Sequence, residues 1–313
     1  MEIYIILGII LTLILICLLI SFICFMKVFF SPKRKVLKDD EYEVPPGKMY
    51  EPFHEEMIQW IKEIRAMPHE DVQVTSFDGL TLRGKYFEYK KGAPIELMFN
   101  GYQGSAERDL CGGVKRCFAL ERNVIIIDQR AHGKSDGSVT TFGIKERKDC
   151  LKWIDFTLNK FGKETKIILT GISMGAATVM MAGGEDLPNN VLYILADCGY
   201  TSAKDIIKKV IREMHLPDKI LYPFVKLGAF IFGHFNLDET SPLEAIKKCK
   251  TPIILFHGES DSFVPCDMSK KIYEISPSIK EIVLVKDAEH GLSYPIDKNN
   301  YLNNLKEFEK KLY

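Results

Sequence analysis

One serine in this chain lies between two glycines, at the junction of an apolar run and a stretch of small residues. The apolar run, residues 166–170, predicts a buried strand, and the small residues after it predict a tightly packed helix. A sharp strand-to-helix turn would project the Ser173 hydroxyl outward, and Gly171 and Gly175 lack the Cβ atoms that would clash there. Glycine and serine also occur in ordinary turns, but this spacing is typical of a nucleophilic serine.

The N-terminal region is an unbroken apolar stretch. Residues 3–26 carry no charged side chain, and as a helix these 24 residues would extend about 36 Å, enough to cross a hydrocarbon core of about 30 Å. A cleaved signal peptide is the alternative, but Glu2 precedes the run and bulky Phe25 lies near its end, where small residues would be expected. The sequence therefore predicts a single transmembrane anchor that the following domain does not need for its core.

Basic residues follow this apolar helix and none precedes it: Lys27, Lys33, Arg34, Lys35 and Lys38. The positive-inside rule then predicts that the rest of the chain lies in the cytoplasm. The six cysteines beyond the anchor show no disulfide pattern, which agrees with a reducing compartment. An extracellular domain is the alternative, because a domain that follows an N-terminal anchor is often exported.

Residues 27–52 predict a tether, since prolines at 32, 45, 46 and 52 discourage regular structure and the acidic residues 39–41 favour solvation. Residues 53–67 then predict an amphipathic packing helix, because Met57, Trp60, Ile61 and Ile64 recur at spacings of three and four. We therefore assign residues 53–313 to one domain that begins with this helix.

From residue 72 the pattern changes to strands alternating with helices. Residues 72–89 predict a β-hairpin with Asp78-Gly79 at its turn, and later strands are predicted at 95–100, 124–128, 167–170, 191–196, 253–257 and 282–285. Helices are predicted between them, which indicates a mostly parallel sheet with helices on both faces. The expected fold class is α/β, with eight strands and an antiparallel edge.

The segment 203–250 interrupts this alternation. It is long for a crossover, and residues 220–235 within it are largely apolar. Structureless loops of this length are rare in compact domains, so we expect an inserted helical lid over Ser173. A second membrane span is improbable because the apolar part is short and contains Lys226, Pro223 and Gly228.

A nucleophilic serine needs a base and a group that orients the base. Asp261 follows the predicted strand 253–257, and His290 follows the last strand, so the order along the chain is Ser173, acid, histidine. Asp197 and Asp287 are the rival acids; Asp197 follows the preceding strand, and Asp287 is better placed to shape the histidine loop. We therefore predict Ser173, Asp261 and His290 as the catalytic residues.

Acyl transfer also needs two backbone N–H groups directed at the developing oxyanion. Met174, the residue after the nucleophile, is expected to supply one. The second is expected from Tyr102, in the glycine-containing loop that follows the strand 95–100.

Five stretches together resemble the α/β-hydrolase superfamily, in particular a membrane-anchored bacterial branch related to serine aminopeptidase-like and esterase-like hydrolases. They are residues 100–104 (NGYQG), 128–135 (DQRAHGKS), 171–175 (GISMG), 257–265 (HGESDSFVP) and 289–291 (EHG). The resemblance covers roughly residues 72–313 and implies the hydrolase fold and its triad. The chain departs from many relatives in having Asn100 where they have histidine, which affects local hydrogen bonding only. The loop residues Asp128, Arg130, His132 and Ser135 match a structural loop, and we expect no catalytic role for them.

The expected activity is hydrolysis of an ester, thioester or amide through an acyl-enzyme, on a small-molecule substrate with a hydrophobic acyl group. An acyltransferase with the same triad and a catalytically inactive membrane-tethered binding protein are the alternatives. With 42 basic and 42 acidic residues, the chain shows no sign of nucleic-acid binding. The cysteines and histidines lack metal-binding spacings, so no metal or cofactor is predicted.

Overall fold

The computed structural model describes residues 1–32 and 37–312. Its centre is an eight-stranded sheet of order β1-β2-β4-β3-β5-β6-β7-β8. The strands are β1 (Glu70–Thr75), β2 (Thr81–Phe87), β3 (Ile95–Phe99), β4 (Asn123–Asp128), β5 (Ile167–Ile172), β6 (Val191–Asp197), β7 (Ile253–Gly258) and β8 (Lys280–Val285). The β1–β2 hairpin is antiparallel, β2 pairs antiparallel with β4, and the remaining pairs are parallel. The predicted mostly parallel sheet with an antiparallel edge is confirmed.

Helices cover both faces of this sheet, as predicted. The α-helices of the described residues are α1 (Glu2–Val28), α2 (His54–Ala66), α3 (Ala106–Ala119), α4 (Glu146–Phe161), α5 (Met174–Ala182), α6 (Ala203–Glu213), α7 (Asp218–Ile231), α8 (Pro242–Ile246), α9 (Asp267–Ile275), α10 (Ser293–Ile296) and α11 (Lys298–Lys310). The central strand β4 shows why both faces must be covered. Its Ile125 and Ile127 belong to a hydrophobic cluster that includes residues of α4 and α5, whereas Val124 and Ile126 belong to a cluster with residues of α2 and α3 on the opposite face.

The N-terminal helix α1 is, within the described residues, the one helix long and apolar enough to cross a membrane. It fits a single-pass membrane anchor. Its end, however, corrects the expectation that the domain does not need the anchor for its core. Phe25 in the last turn and Phe29, the residue after the helix, are buried in a hydrophobic cluster with Phe142 and Phe235 of the following domain. The Phe29 ring centroid lies 5.8 Å from that of Phe142 and 5.2 Å from that of Phe235. The end of the anchor is therefore part of the domain core.

The segment after α1 is irregular, as its prolines predicted, but it is packed against the domain. Arg65 of α2 donates hydrogen bonds to the backbone carbonyls of Asp39 and Glu41, at 2.8 and 3.0 Å. Arg108 pairs with Glu43 at 3.5 Å. The predicted basic residues at 33–35 lie outside the described residues, whereas Lys27 and Lys38 lie within them.

The segment 203–250 forms α6, α7 and α8, so its predicted helical character is confirmed. It lies at the carboxyl edge of the sheet, since α6 follows β6 and the Lys209 ammonium donates to the backbone carbonyl of Ser262 at 2.6 Å. Helix α7 packs on the end of α1 through Gly228, where an added Cβ would lie 2.4 Å from the Ser21 carbonyl oxygen. Whether the segment acts as a lid stays a prediction.

Candidate active site

Ser173 lies at the turn between β5 and α5 with φ 55° and ψ −113°, a conformation that non-glycine residues rarely adopt. The flanking glycines allow the two elements to approach closely. A Cβ on Gly171 would lie 2.1 Å from the carbonyl carbon of Gly175, and a Cβ on Gly175 would lie 2.0 Å from the carbonyl oxygen of Phe99. The glycine–serine–glycine spacing is therefore required by backbone contacts, as the sequence indicated.

The structure brings the three predicted catalytic side chains together. His290 Nε2 lies 2.9 Å from Ser173 Oγ, and His290 Nδ1 lies 2.7 Å from Asp261 Oδ2. With an ionised carboxylate as acceptor, Nδ1 carries the proton and donates it to Asp261, which leaves Nε2 free to accept from the serine hydroxyl. This tautomer is the one that a general base for Ser173 requires.

Asp261 is held in the ionised state by its surroundings. Its Oδ1 accepts hydrogen bonds from the backbone N–H groups of Phe263 and Val264, at 3.0 and 2.7 Å. Burial alone would raise the pKa of this carboxyl, but the hydrogen bonds from His257 and His290 outweigh burial and lower the pKa to about 2. Asp261 therefore stays negatively charged at neutral pH and can stabilise a protonated His290.

His257, at the end of β7, supports the loop that carries Asp261, a role that the sequence motif alone did not indicate. Its Nε2 lies 3.2 Å from Asp261 Oδ2 and 2.7 Å from the Val264 carbonyl oxygen, while its Nδ1 lies 2.6 Å from Ser269 Oγ. The ring thus fixes the loop that carries Asp261. A histidine at the end of a strand, four residues before the acid, is the sequence signal for this role.

The loop that carries Tyr102 lies directly beside Ser173. A Cβ on Gly101 would lie 3.6 Å from the Ser173 Cβ, and the Gly101 N–H donates to Asp109 Oδ2 at 3.0 Å. Met174 is the first residue of α5, so its N–H has no acceptor within that helix. Tyr102 follows Gly101 and Met174 follows Ser173 along the chain, and their role as oxyanion donors stays a prediction.

Asn100 and His132 make hydrogen bonds that support the loop of Tyr102. The Asn100 amide accepts from the Gln129 N–H at 3.0 Å and donates to the Gly101 carbonyl at 2.8 Å, so asparagine can serve where relatives have histidine. His132 Nδ1 donates to the Arg130 carbonyl at 2.7 Å, and its Nε2 accepts from the Gln103 N–H at 2.9 Å. His132 therefore positions the residue next to Tyr102, a contact that the sequence did not reveal.

The rival acids have other partners in the structure. Asp197 accepts hydrogen bonds from the Ser293 and Tyr301 hydroxyls, at 2.9 and 3.1 Å, and burial raises its pKa. Asp287 has φ 59° and lies in the turn after β8. Neither has the contact with His290 that Asp261 has.

A cavity of about 440 Å³ opens beside Ser173 and His290. Its apolar wall comes from the irregular segment and from α2, namely Pro45, Pro46, Met49, Tyr50, Met57 and Trp60. Burial raises the pKa of the Tyr50 hydroxyl further above neutral pH, so this side chain is uncharged. Among the described lining residues, none belongs to 203–250.

Cys198, Asp261 and His290 are the one described group of side chains close enough together to share a metal ion. Both ring nitrogens of His290 already contact Asp261 and Ser173. Burial also raises the pKa of the Cys198 thiol, which disfavours the thiolate that a metal would need. The arrangement suits proton transfer between oxygen and nitrogen atoms better than metal binding.

Comparisons with known proteins agree with this architecture. A family model described as the alpha/beta hydrolase fold matches residues 97–228. The uncharacterized protein YqkD of Bacillus subtilis is 29% identical over 59% of this chain, a match that spans 61% of that relative's length. The protein bem46 of Schizosaccharomyces pombe is 26% identical over 69% of this chain and 68% of its own.

Among solved structures, the esterase Pf2001 of Pyrococcus furiosus superposes with a TM-score of 0.64 at 22% identity. The superposition covers 88% of this chain and 99% of the esterase. Identity at this level shows the fold alone. The fold that the sequence resemblance implied is thus confirmed: the chain has the α/β-hydrolase fold.

Proposed function

We propose that this protein is a serine hydrolase that cleaves an ester, thioester or amide bond through an acyl-enzyme. The observation that carries the proposal is the continuous hydrogen-bonded chain from Ser173 Oγ through His290 to Asp261, with links of 2.9 and 2.7 Å. The three groups come from segments far apart in sequence, and their polar atoms meet beside an apolar cavity.

The geometry supports the following steps. His290 Nε2 removes the Ser173 proton as Oγ attacks the acyl carbon, and Asp261 stabilises the resulting imidazolium. The backbone N–H groups of Tyr102 and Met174 donate to the developing oxyanion. His290 then protonates the leaving group, and a water molecule, deprotonated by the same nitrogen, attacks the acyl-enzyme and releases the acid.

The cavity supports a substrate with an apolar acyl group. The wall formed by Met49, Met57 and Trp60 is apolar, so hydrocarbon buried against it leaves water favourably. Charged groups also line the cavity, but Arg108 and Asp109 pair with each other at 2.6 Å. The proposed substrate is therefore a small hydrophobic acyl compound.

The division into an anchor (3–26), a tether (27–52) and a domain (53–313) with a lid at 203–250 stays part of the proposal.

The test is covalent labelling by a fluorophosphonate, which reacts only with an activated serine. Ser173→Ala should abolish labelling of the full chain in detergent and should lower hydrolysis of p-nitrophenyl esters by on the order of 10⁴ or more. Ser262→Ala is the matched control, because that hydroxyl bonds Glu289 at 2.9 Å and not His290. Labelling of the Ser173→Ala variant at the wild-type rate would show that another residue is the nucleophile.

We also propose that the domain lies on the cytoplasmic side of the membrane. The support is the charge distribution, with basic residues after the helix and none before it. Lys27 and Lys38 contribute within the described residues.

A further inference from the structure

Helix α7 presents three different sides to its surroundings. Tyr222, Val225 and Ala229 are buried against the domain. Gly228 packs on α1, where an added Cβ would meet the Ser21 carbonyl oxygen at 2.4 Å and Phe25 Cβ at 3.1 Å. The third side is an exposed apolar stripe, here called the α7 stripe, formed by Ile220, Pro223, Leu227 and Phe230 at spacings of three and four.

The α7 stripe is unusual because its members are large and mostly uncovered. Ile220 is 63% exposed and Phe230 is 68% exposed, while Leu227 is at 37%. The preceding turn adds Met214 and Leu216, which are also exposed. A single exposed hydrophobic residue needs no explanation, but a continuous helical stripe indicates a contact surface.

The contact with α1 fixes where this stripe lies. Gly228 meets α1 at Ser21, and the Phe232 ring centroid lies 5.2 Å from that of Phe22 and 5.9 Å from that of Phe25. These α1 residues belong to the uncharged run 3–26, which fits a membrane span. Helix α7 therefore lies at the depth where that span leaves the membrane.

A groove of about 560 Å³ runs beside the stripe and carries positive charge. Three lysines line it, Lys204, Lys208 and Lys226, together with the ring of Phe230. Asp238 is the one acid among its described lining residues and pairs with Lys226. Three ammonium groups against one carboxylate give the groove a net positive charge beside an apolar helix face.

We propose that α7 is an interfacial membrane helix, with its apolar stripe in the outer acyl-chain region and the lysine groove on the headgroups of anionic phospholipids. Apolar side chains next to lysines are the composition that binds such a surface. The bilayer that holds α1 is the occupant because α7, which carries the stripe, packs directly on that helix. A second copy of the chain or a protein partner would have to displace lipid from a surface that the anchor already holds at the membrane.

The test uses the full chain reconstituted in lipid nanodiscs and lipids brominated in the acyl chain, which quench nearby tryptophan. Phe230→Trp places a reporter on the stripe. Ile279→Trp is the matched control, since Ile279 is 51% exposed but precedes β8 at the opposite end of the sheet. Insertion to a depth of about 5–10 Å should make the Phe230→Trp emission fall by roughly half while the control changes little. The signal of the two native tryptophans is measured on the unsubstituted protein and subtracted from the signal of each variant.

The headgroup assignment is tested with the same reporter. Quenching should be greater in bilayers that contain phosphatidylglycerol than in pure phosphatidylcholine, and Lys204→Gln with Lys208→Gln should remove that difference. Lys90→Gln with Lys91→Gln makes the same charge change on the exposed turn between β2 and β3. This control should leave the difference between the two bilayers unchanged.

Equal quenching at positions 230 and 279 would overturn the proposal. So would emission at position 230 that depends on protein concentration and not on brominated lipid, because a second copy would then cover the stripe. An anionic-lipid effect that survives the two groove substitutions would remove the lysine groove from the assignment.

Discussion

Truncation of Phe29 to alanine tests whether the end of the anchor helix is part of the domain core. The side chain is fully buried, with edge-to-face contacts to the Phe142 and Phe235 rings at 5.8 and 5.2 Å. Loss of a buried phenylalanine costs about 3–5 kcal/mol, because hydrocarbon is exposed and a cavity remains. For a domain of this size each kcal/mol lowers Tm by about 2–4 °C, so we expect a drop of roughly 6–20 °C.

The assay is thermal unfolding of the full chain in detergent, followed by circular dichroism. Phe230→Ala is the matched control, since its ring is 68% exposed and its removal opens no cavity. We expect the Tm of this control to stay within about 2 °C of the wild type. If Phe29→Ala unfolds at the same temperature as Phe230→Ala, the docking of the helix end contributes nothing to the stability of the domain core.

Two further predictions concern the acid of the site and the orientation of the chain. The pKa of Asp261 is about 2 in the folded protein against 3.8 for the free group, so ionisation stabilises the fold above pH 3.8 by about 2 kcal/mol and this contribution is lost as the pH falls toward 2. On acid titration, the free energy of unfolding should therefore fall less for Asp261→Asn than for the wild type. The same variant should lose activity by a factor on the order of 10⁴. Identical acid profiles would contradict the assignment of that pKa. For the orientation, protease added to intact, wall-stripped cells should leave the domain uncut until the membrane is lysed, and digestion in intact cells would place the domain outside.

The sequence by itself was enough to predict the strands and helices and the order of the candidate catalytic residues along the chain. Alternation with periods of two and 3.6 marks the buried face of each strand and helix, and the spacing of Gly171, Ser173 and Gly175 identifies the strained turn. Asp261 and His290 could be chosen because both follow strands whose carboxyl ends share one edge of a parallel sheet. These signals are local, so they can be read without knowing what packs against each element.

Only the tertiary structure decided which helices, strands and loops pack against each other. Val28, at the end of the anchor, accepts a hydrogen bond from the Tyr102 hydroxyl at 2.9 Å, across 74 positions of sequence. Met49 and Tyr50 line the cavity beside Ser173, although the sequence indicated only an irregular tether. An apolar face shows that a residue will be buried but not against which partner, because hydrophobic attraction has no direction and the choice depends on the shapes of the whole packed chain.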